Sequence, residues 1–176
     1  MTTAFTVRTA VEGPDFDTLT RFRLEMFRDM GWTDESRLEE LAPRYTAYLH
    51  EHFSAGDFVG WIAEKDGRAA GAVGLLWERV PPTVRNLSGR QAYVLGLYVV
   101  PEERRQGAGR LLVETAVQHA RDFGADVVSL HHSPAGQGLY EQLGFVVSPE
   151  MRLFTSPASA AWSPQAPAHT PADDAD

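Results

Sequence analysis

The sequence predicts a mixed α/β fold, a central sheet with helices on both faces. Two patterns carry that expectation. Short runs with a two-residue apolar period alternate along the chain with longer runs of helical period. One stretch, "AYVLGLYVV", is apolar almost throughout, as a strand covered on both faces should be. Composition agrees, because 176 residues with 43% hydrophobic and 23% charged side chains lie close to the ordinary globular values of about 45–50% and 25%.

The elements follow in order. "AFTVRTA" alternates like a half-buried strand. From Asp15 to Met30, residues Phe16, Leu19, Phe22, Met26, Phe27 and Met30 keep helical spacing, and Gly31 supplies a stop. A second helix is expected from Asp34 to Phe53, bent or split at Pro43, which has no N–H to donate. "DFVGWIAEKDGRAAGAVGLLWERV" reads as two strands around "KDGR", since Asp-Gly accepts the positive φ of a tight hairpin turn. The polar "PPTVRNLSGRQ" leads into the apolar strand. Leu112, Val113, Ala116, Ala120 and Phe123 then mark one face of a helix ending at Gly124. "VVSL" is a short strand, "AGQGLYEQLG" a short helix, and "FVVSPEMRLF" is expected to return as a last strand or pair. Beyond Ser156 the chain becomes "PASAAWSPQAPAHTPADDAD", too poor in apolar surface to offset the entropy of ordering. One domain over 1–155 and a disordered tail over 156–176 are therefore expected.

Several partners are disfavoured. A net charge of −8 argues against nucleic acid, which is bound by clustered Lys and Arg. Without cysteine there is no disulfide, cysteine nucleophile or thiolate metal site. His50 and His52 stand two apart on a helix and face different ways, so no metal is expected. Neither a membrane span nor a leader is expected, and the reading is a cytoplasmic protein.

The chemistry concentrates in "RRQGAG", residues 104–109, between the apolar strand and a helix start. Backbone N–H groups at a helix start lack partners within the helix. Gly107 and Gly109 let an anion approach them closely, and the helix dipole adds a positive end. Such a loop with an Arg fork suits a diphosphate. The plainer alternative is a turn whose glycines serve packing. The P-loop pattern is absent, and "GAGRLL" has Leu112 where a dinucleotide fingerprint needs a small residue.

Arg104, Gly107 and Gly109 fit R/Q-x-x-G-x-G/A, "LYVVPEERR" precedes them, and "GLYEQLGF" follows downstream. In these two signatures, in this order, the chain resembles the Gcn5-related N-acetyltransferase superfamily from about Thr6 to Leu153. The resemblance implies a mostly antiparallel central sheet splayed in a V, with acetyl-CoA as cosubstrate in the opening. It implies that backbone groups of Leu97 and Val99 bind the acyl and pantetheine amides. It also implies that Arg104, Arg105, Gln106, Gly107, Ala108, Gly109 and Arg110 surround the pyrophosphate. Ser133 stands where many members have a coenzyme-binding Asn. Tyr140 matches the general acid that protonates the leaving thiolate, and the Val99 N–H matches the oxyanion donor.

Many members place a Glu on the central strand as base, and none lies between Ala92 and Val100. Glu78, Tyr93, Tyr98, His131 and His132 are the alternatives, with His131 the choice. Deprotonating an alkyl ammonium at pH 7 costs about 4.6 kcal/mol, so a base or water relay is needed. Trp32, Tyr45 and Tyr93 are the candidate acceptor contacts. The expected function is transfer of an acetyl group to a primary amine of a small molecule. A non-catalytic acyl-CoA sensor and a peptide N-terminal acetyltransferase are the alternatives. The resemblance also makes a homodimer plausible.

Overall fold

The computed structural model describes residues 4–151 and 153. The chain divides into two compact units, Met1–His131 and His132–Asp176. The first holds a five-stranded sheet of β1 (Thr6–Thr9), β2 (Phe58–Lys65), β3 (Arg68–Arg79), β4 (Arg90–Val99) and β5 (Val127–Leu130), in that spatial order. The first four strands run antiparallel, and β5 lies parallel to β4. Helices α1 (Phe16–Asp29), α2 (Glu35–Ala55) and α3 (Ala108–Asp122) complete this unit, with a short 3₁₀ turn at Pro101–Glu103. The second unit contains α4 (Gln137–Gln142).

Two apolar layers follow from the pleat. On one face Phe16, Leu19, Phe22, Tyr45 and Leu49 of α1 and α2 pack with Phe58, Ile62, Ala72 and Tyr98. On the other, Leu112, Ala116 and Ala120 of α3 pack with Trp61, Val73, Leu75, Ala92 and Val94. Each fully buried leucine stabilises the fold by about 1.5–3 kcal/mol relative to exposure, and Leu49, Leu75 and Leu112 are completely enclosed.

Local chemistry fixes the junctions. Arg8 grips the Asp15 carboxylate with two bonds of 2.6 and 2.9 Å, and the Val11 N–H donates to the same group at 2.7 Å. The Arg8 hydrogen bonds hold the Asp15 carboxyl below its usual range and tie β1 to the start of α1. At the "KDGR" turn Asp66 and Gly67 both have positive φ, 51° and 73°, as a type I′ hairpin requires.

Two expectations are corrected. Pro43 does not split the second helix, which runs unbroken from Glu35 to Ala55. Glu39 and Pro43 are both exposed, so the carbonyl that loses its bond is solvated rather than stranded. "FVVSPEMRLF" forms no strand over residues 145–151. Val146 and Val147 are exposed there, and Pro149 removes a ladder donor, so the run lacks the half-buried face that pays for pairing. The 156–176 tail lies outside the described residues. Among the described residues no helix is long and apolar enough to cross a membrane.

Candidate active site

The site is organised by an irregularity in the central strand. Tyr98 pairs with Ala72 and Leu95 with Gly74, so Val73 of β3 faces two residues of β4, Gly96 and Leu97. This is a β-bulge, and Gly96 adopts the left-handed φ of 66° that such a position takes. The side-chain alternation shows the consequence. Ala92 and Val94 face α3 before the bulge, and Leu97 and Val99 face it afterwards. Close approach also matters on β3, where a Cβ on Gly71 would sit 2.5 Å from the Tyr98 carbonyl oxygen.

The same strand is paired on only one side at its far end. The β4–β5 register ends at Val94 opposite Leu130. Residues 95–99 continue to pair with β3, and among the described residues no strand covers their other edge. The Val100 N–H donates to the Ala70 carbonyl on β3 at 2.9 Å. By the two-residue period, the peptide groups of Val99 and Leu97 face the open edge. Arg104 Nε donates to the Val99 carbonyl at 2.8 Å, which agrees with that direction and leaves the Val99 N–H uncovered.

Beyond the strand, Gly107 caps α3 with a φ of 98° and no side-chain hydrogen bond. The first in-helix bond is Leu111 N–H to the Gly107 carbonyl, 3.0 Å. The N–H groups of Ala108, Gly109 and Arg110 therefore precede the helical ladder and point out of its positive end. Arg105 also has positive φ, 58°, uncommon outside glycine.

The loop's side chains have different surroundings. Arg104 is committed to the fold through Val99, an ion pair with Asp29 of α1, and a cation–π contact 5.5 Å from the Tyr98 ring centre. Arg105 is exposed and has no side-chain partner among the described residues. Gln106 accepts from Lys65 at 3.0 Å and donates to the Glu102 carbonyl at 3.0 Å. Lys65, the only lysine, also pairs with Glu103 at 2.6 Å. This bracket fastens the loop to the end of β2. Arg110 lies 3.3 Å from Glu114, one turn along α3.

On the α1–α2 face, the Tyr93 hydroxyl and His131 Nδ1 are joined by a short hydrogen bond, with ring centres 5.5 Å apart. Tyr93 lies opposite Ser129 across the parallel pair, and His131 follows two residues later on the same face. Glu78 is engaged nearby, accepting from Gln91 Nε2 at 3.0 Å, while the same nitrogen donates to Ser129 Oγ at 3.1 Å. Tyr45 is buried over the bulge. A Cβ added to Gly96 would lie 3.9 Å from its hydroxyl and 3.6 Å from Arg23 Nη1. Burial pushes the Tyr45 hydroxyl above the usual phenol range. Trp32 follows the end of α1, its N–H donating to the Phe27 carbonyl at 3.0 Å.

In the second unit Tyr140 is buried, edge-on to Phe145 with centres 5.8 Å apart. Gly136 supports the ring, since a Cβ there would lie 3.3 Å from Tyr140 Cε2 and 3.4 Å from Ser133 Oγ. The Ser133 carbonyl accepts the Gly136 N–H at 2.9 Å, so Ser133 helps form the turn that carries α4.

Sequence reasoning overlooked Arg23 and the Gly96 bulge. A lone glycine inside a long apolar strand was the available signal for the bulge. Nothing local marked Arg23.

The model of the acetyltransferase (GNAT) family matches residues 22–145. This chain belongs to the GNAT family. Among curated relatives, the uncharacterized N-acetyltransferase YhfO of Bacillus subtilis is 34% identical over 103 residues, 56% of this chain and 66% of the relative. The probable N-acetyltransferase family 8 member 5 of Mus musculus is 37% identical over 109 residues, 60% of this chain and 44% of the relative. The chain spans less than two thirds of either relative. A GCN5-related N-acetyltransferase structure from Ralstonia eutropha JMP134 superposes with a TM-score of 0.79 at 27% identity, covering 85% of this chain and 97% of that one. An acetyltransferase from Clostridium acetobutylicum, solved with acetyl-CoA, shares the fold with a TM-score of 0.76 at 22% identity, covering 86% and 96%.

Proposed function

We propose that this GNAT protein transfers an acetyl group from acetyl-CoA to a primary amine of a small molecule. The observation that carries the proposal is the open edge of β4 leading to the uncapped start of α3. Together they offer a line of outward-facing N–H groups of the kind a pantetheine arm and a diphosphate need. The fit is chemical as well as topological. The N–H groups of Ala108, Gly109 and Arg110 and the side chain of Arg105 hold the phosphates, and Leu97 and Val99 present peptide groups to the arm.

In this reading the Val99 N–H stabilises the thioester oxygen as it gains charge. With its proton on Nδ1, His131 donates to the Tyr93 oxygen and keeps a lone pair on Nε2 to accept the proton of the attacking amine. A carbon–nitrogen bond forms, the carbon–sulfur bond breaks, and Tyr140 protonates the departing sulfur. Bound acetyl-CoA supplies the activated acyl group and nothing else.

The test is release of CoA from acetyl-CoA across a panel of small amines, with free peptide N-termini as a separate arm. Turnover of small amines is expected, and His131→Gln is expected to lower kcat by about 100-fold, the low end for general base catalysis. Binding of acetyl-CoA without CoA release in either arm would replace the proposal by a sensor module. Release with peptides alone would move the acceptor class.

A further inference from the structure

Arg23 stands on the third turn of α1, on the face that packs over β4. Its Nε is sealed from solvent and has no hydrogen-bond acceptor. Among the described residues no carboxylate is paired with it, although nine ion pairs join other side chains. Its contacts are with aromatic faces, 5.0 Å from the Phe27 ring centre and 5.3 Å from that of Tyr45. Burying that one donor without an acceptor costs stability, and the rest of the guanidinium, on a half-buried side chain, keeps its other donors. Packing alone would be served better by Met or Leu. A cation set beside two rings and not paired with a carboxylate is a preformed seat for an anion.

Its place says which anion. Arg23 Nη1 and the Tyr45 hydroxyl sit over Gly96, at the bulge where the open edge of β4 begins. Tyr93 lies three residues back along the strand, about 10 Å away at 3.3 Å per residue. Glu78 lies opposite Gln91, two residues further back along β4, and accepts from its Nε2 at 3.0 Å. A cation at one end and a proton acceptor with a nearby carboxylate at the other match a molecule with an anion and an amine a few bonds apart.

Building on the acetyl-transfer reading above, we propose that Arg23 receives the carboxylate of the acceptor, so that the acceptor is an amino acid or an amine bearing a carboxylate at similar distance. A guanidinium binds a carboxylate through two parallel N–H···O bonds, which would fix the amine's approach as well as hold the molecule. Tyr45 and Phe27 form the apolar wall beside it.

The experiment compares each of the twenty amino acids with its own carboxamide as acceptor, following CoA release. The amide's amine is less basic, so intrinsic reactivity favours the amide. For the preferred acceptor, kcat/KM is expected to be at least tenfold higher for the free acid. Arg23→Gln should erase that ratio mainly through KM, Arg23→Lys should restore part of it, and the Kd for acetyl-CoA should not change. In the absence of ligands Arg23→Met should raise Tm, whereas an arginine with a structural role would lower it. Amides that equal or exceed their acids, phosphate-bearing amines preferred over all acids, or a ratio unchanged in Arg23→Gln would overturn the proposal. Should no amine be acetylated, the transfer reading fails on its own. Calorimetry of the same amino acids against protein saturated with CoA then decides for Arg23. Heat lost in Arg23→Gln supports the carboxylate seat, and no heat from any of the twenty overturns it.

Discussion

Tyr140→Phe is expected to lower kcat by about 100-fold or more, the range for losing a positioned proton donor, while the Kd for acetyl-CoA stays within about twofold. The substitution keeps the ring's packing, in which Gly136 lies beside it and Phe145 meets it edge-on. Phenylalanine keeps those contacts. What it removes is the proton for the leaving thiolate, which a phenol of pKa about 10 gives up to a thiol of about 8.5 against a gradient of roughly 2 kcal/mol. Single-turnover kinetics beside calorimetry separates the two quantities. A kcat within threefold of wild type would remove Tyr140 from the proton path, and a matching loss of affinity would make it a binding residue.

Gly107→Val is expected to act on the other quantity, raising the Kd for acetyl-CoA by about 10–100-fold with little change in kcat at saturation. No atom lies within 4 Å of a Cβ built on Gly107, so the effect is conformational rather than a clash. A β-branched residue at a φ of 98° is strained by about 1–3 kcal/mol. The loop relieves that strain by turning, which disperses the N–H groups of Ala108, Gly109 and Arg110. Each favourable charge interaction at a helix start contributes about 0.3–1 kcal/mol, and two or three of them account for the range given. Gly138→Ala is the control, because that glycine has neither positive φ nor a near neighbour. Equal affinities for both variants would mean that the loop's shape does not matter to the coenzyme.

These two residues were visible in the sequence because their signals are local. "RRQGAG" before a helix and "GLYEQLGF" after a short strand each carry their meaning within a few positions. The "KDGR" hairpin, the apolar central strand and the face of α3 were legible for the same reason, since period and turn chemistry are short-range properties. The rest depends on distant partners. Arg104 belongs to the loop signature in the sequence, whereas its bond to Asp29, 75 residues away, is visible only in the fold. Tyr93 and His131 were separate candidates until a parallel pairing across 38 residues joined them. Arg23 carries no motif, and its interest lies in what does not surround it. The failed last strand has the same origin: "FVVSPEMRLF" has strand-like composition, but strand formation also requires a partner.

The central claim is that outward-facing peptide N–H groups on β4 and at the start of α3 hold acetyl-CoA. Titration of acetyl-CoA into isotope-labelled protein, followed amide by amide in nuclear magnetic resonance, tests this most directly. The expected result is saturable one-to-one binding with the largest shifts at Leu97, Val99, Ala108, Gly109 and Arg110. Binding that leaves those amides unmoved, or no binding, would contradict it.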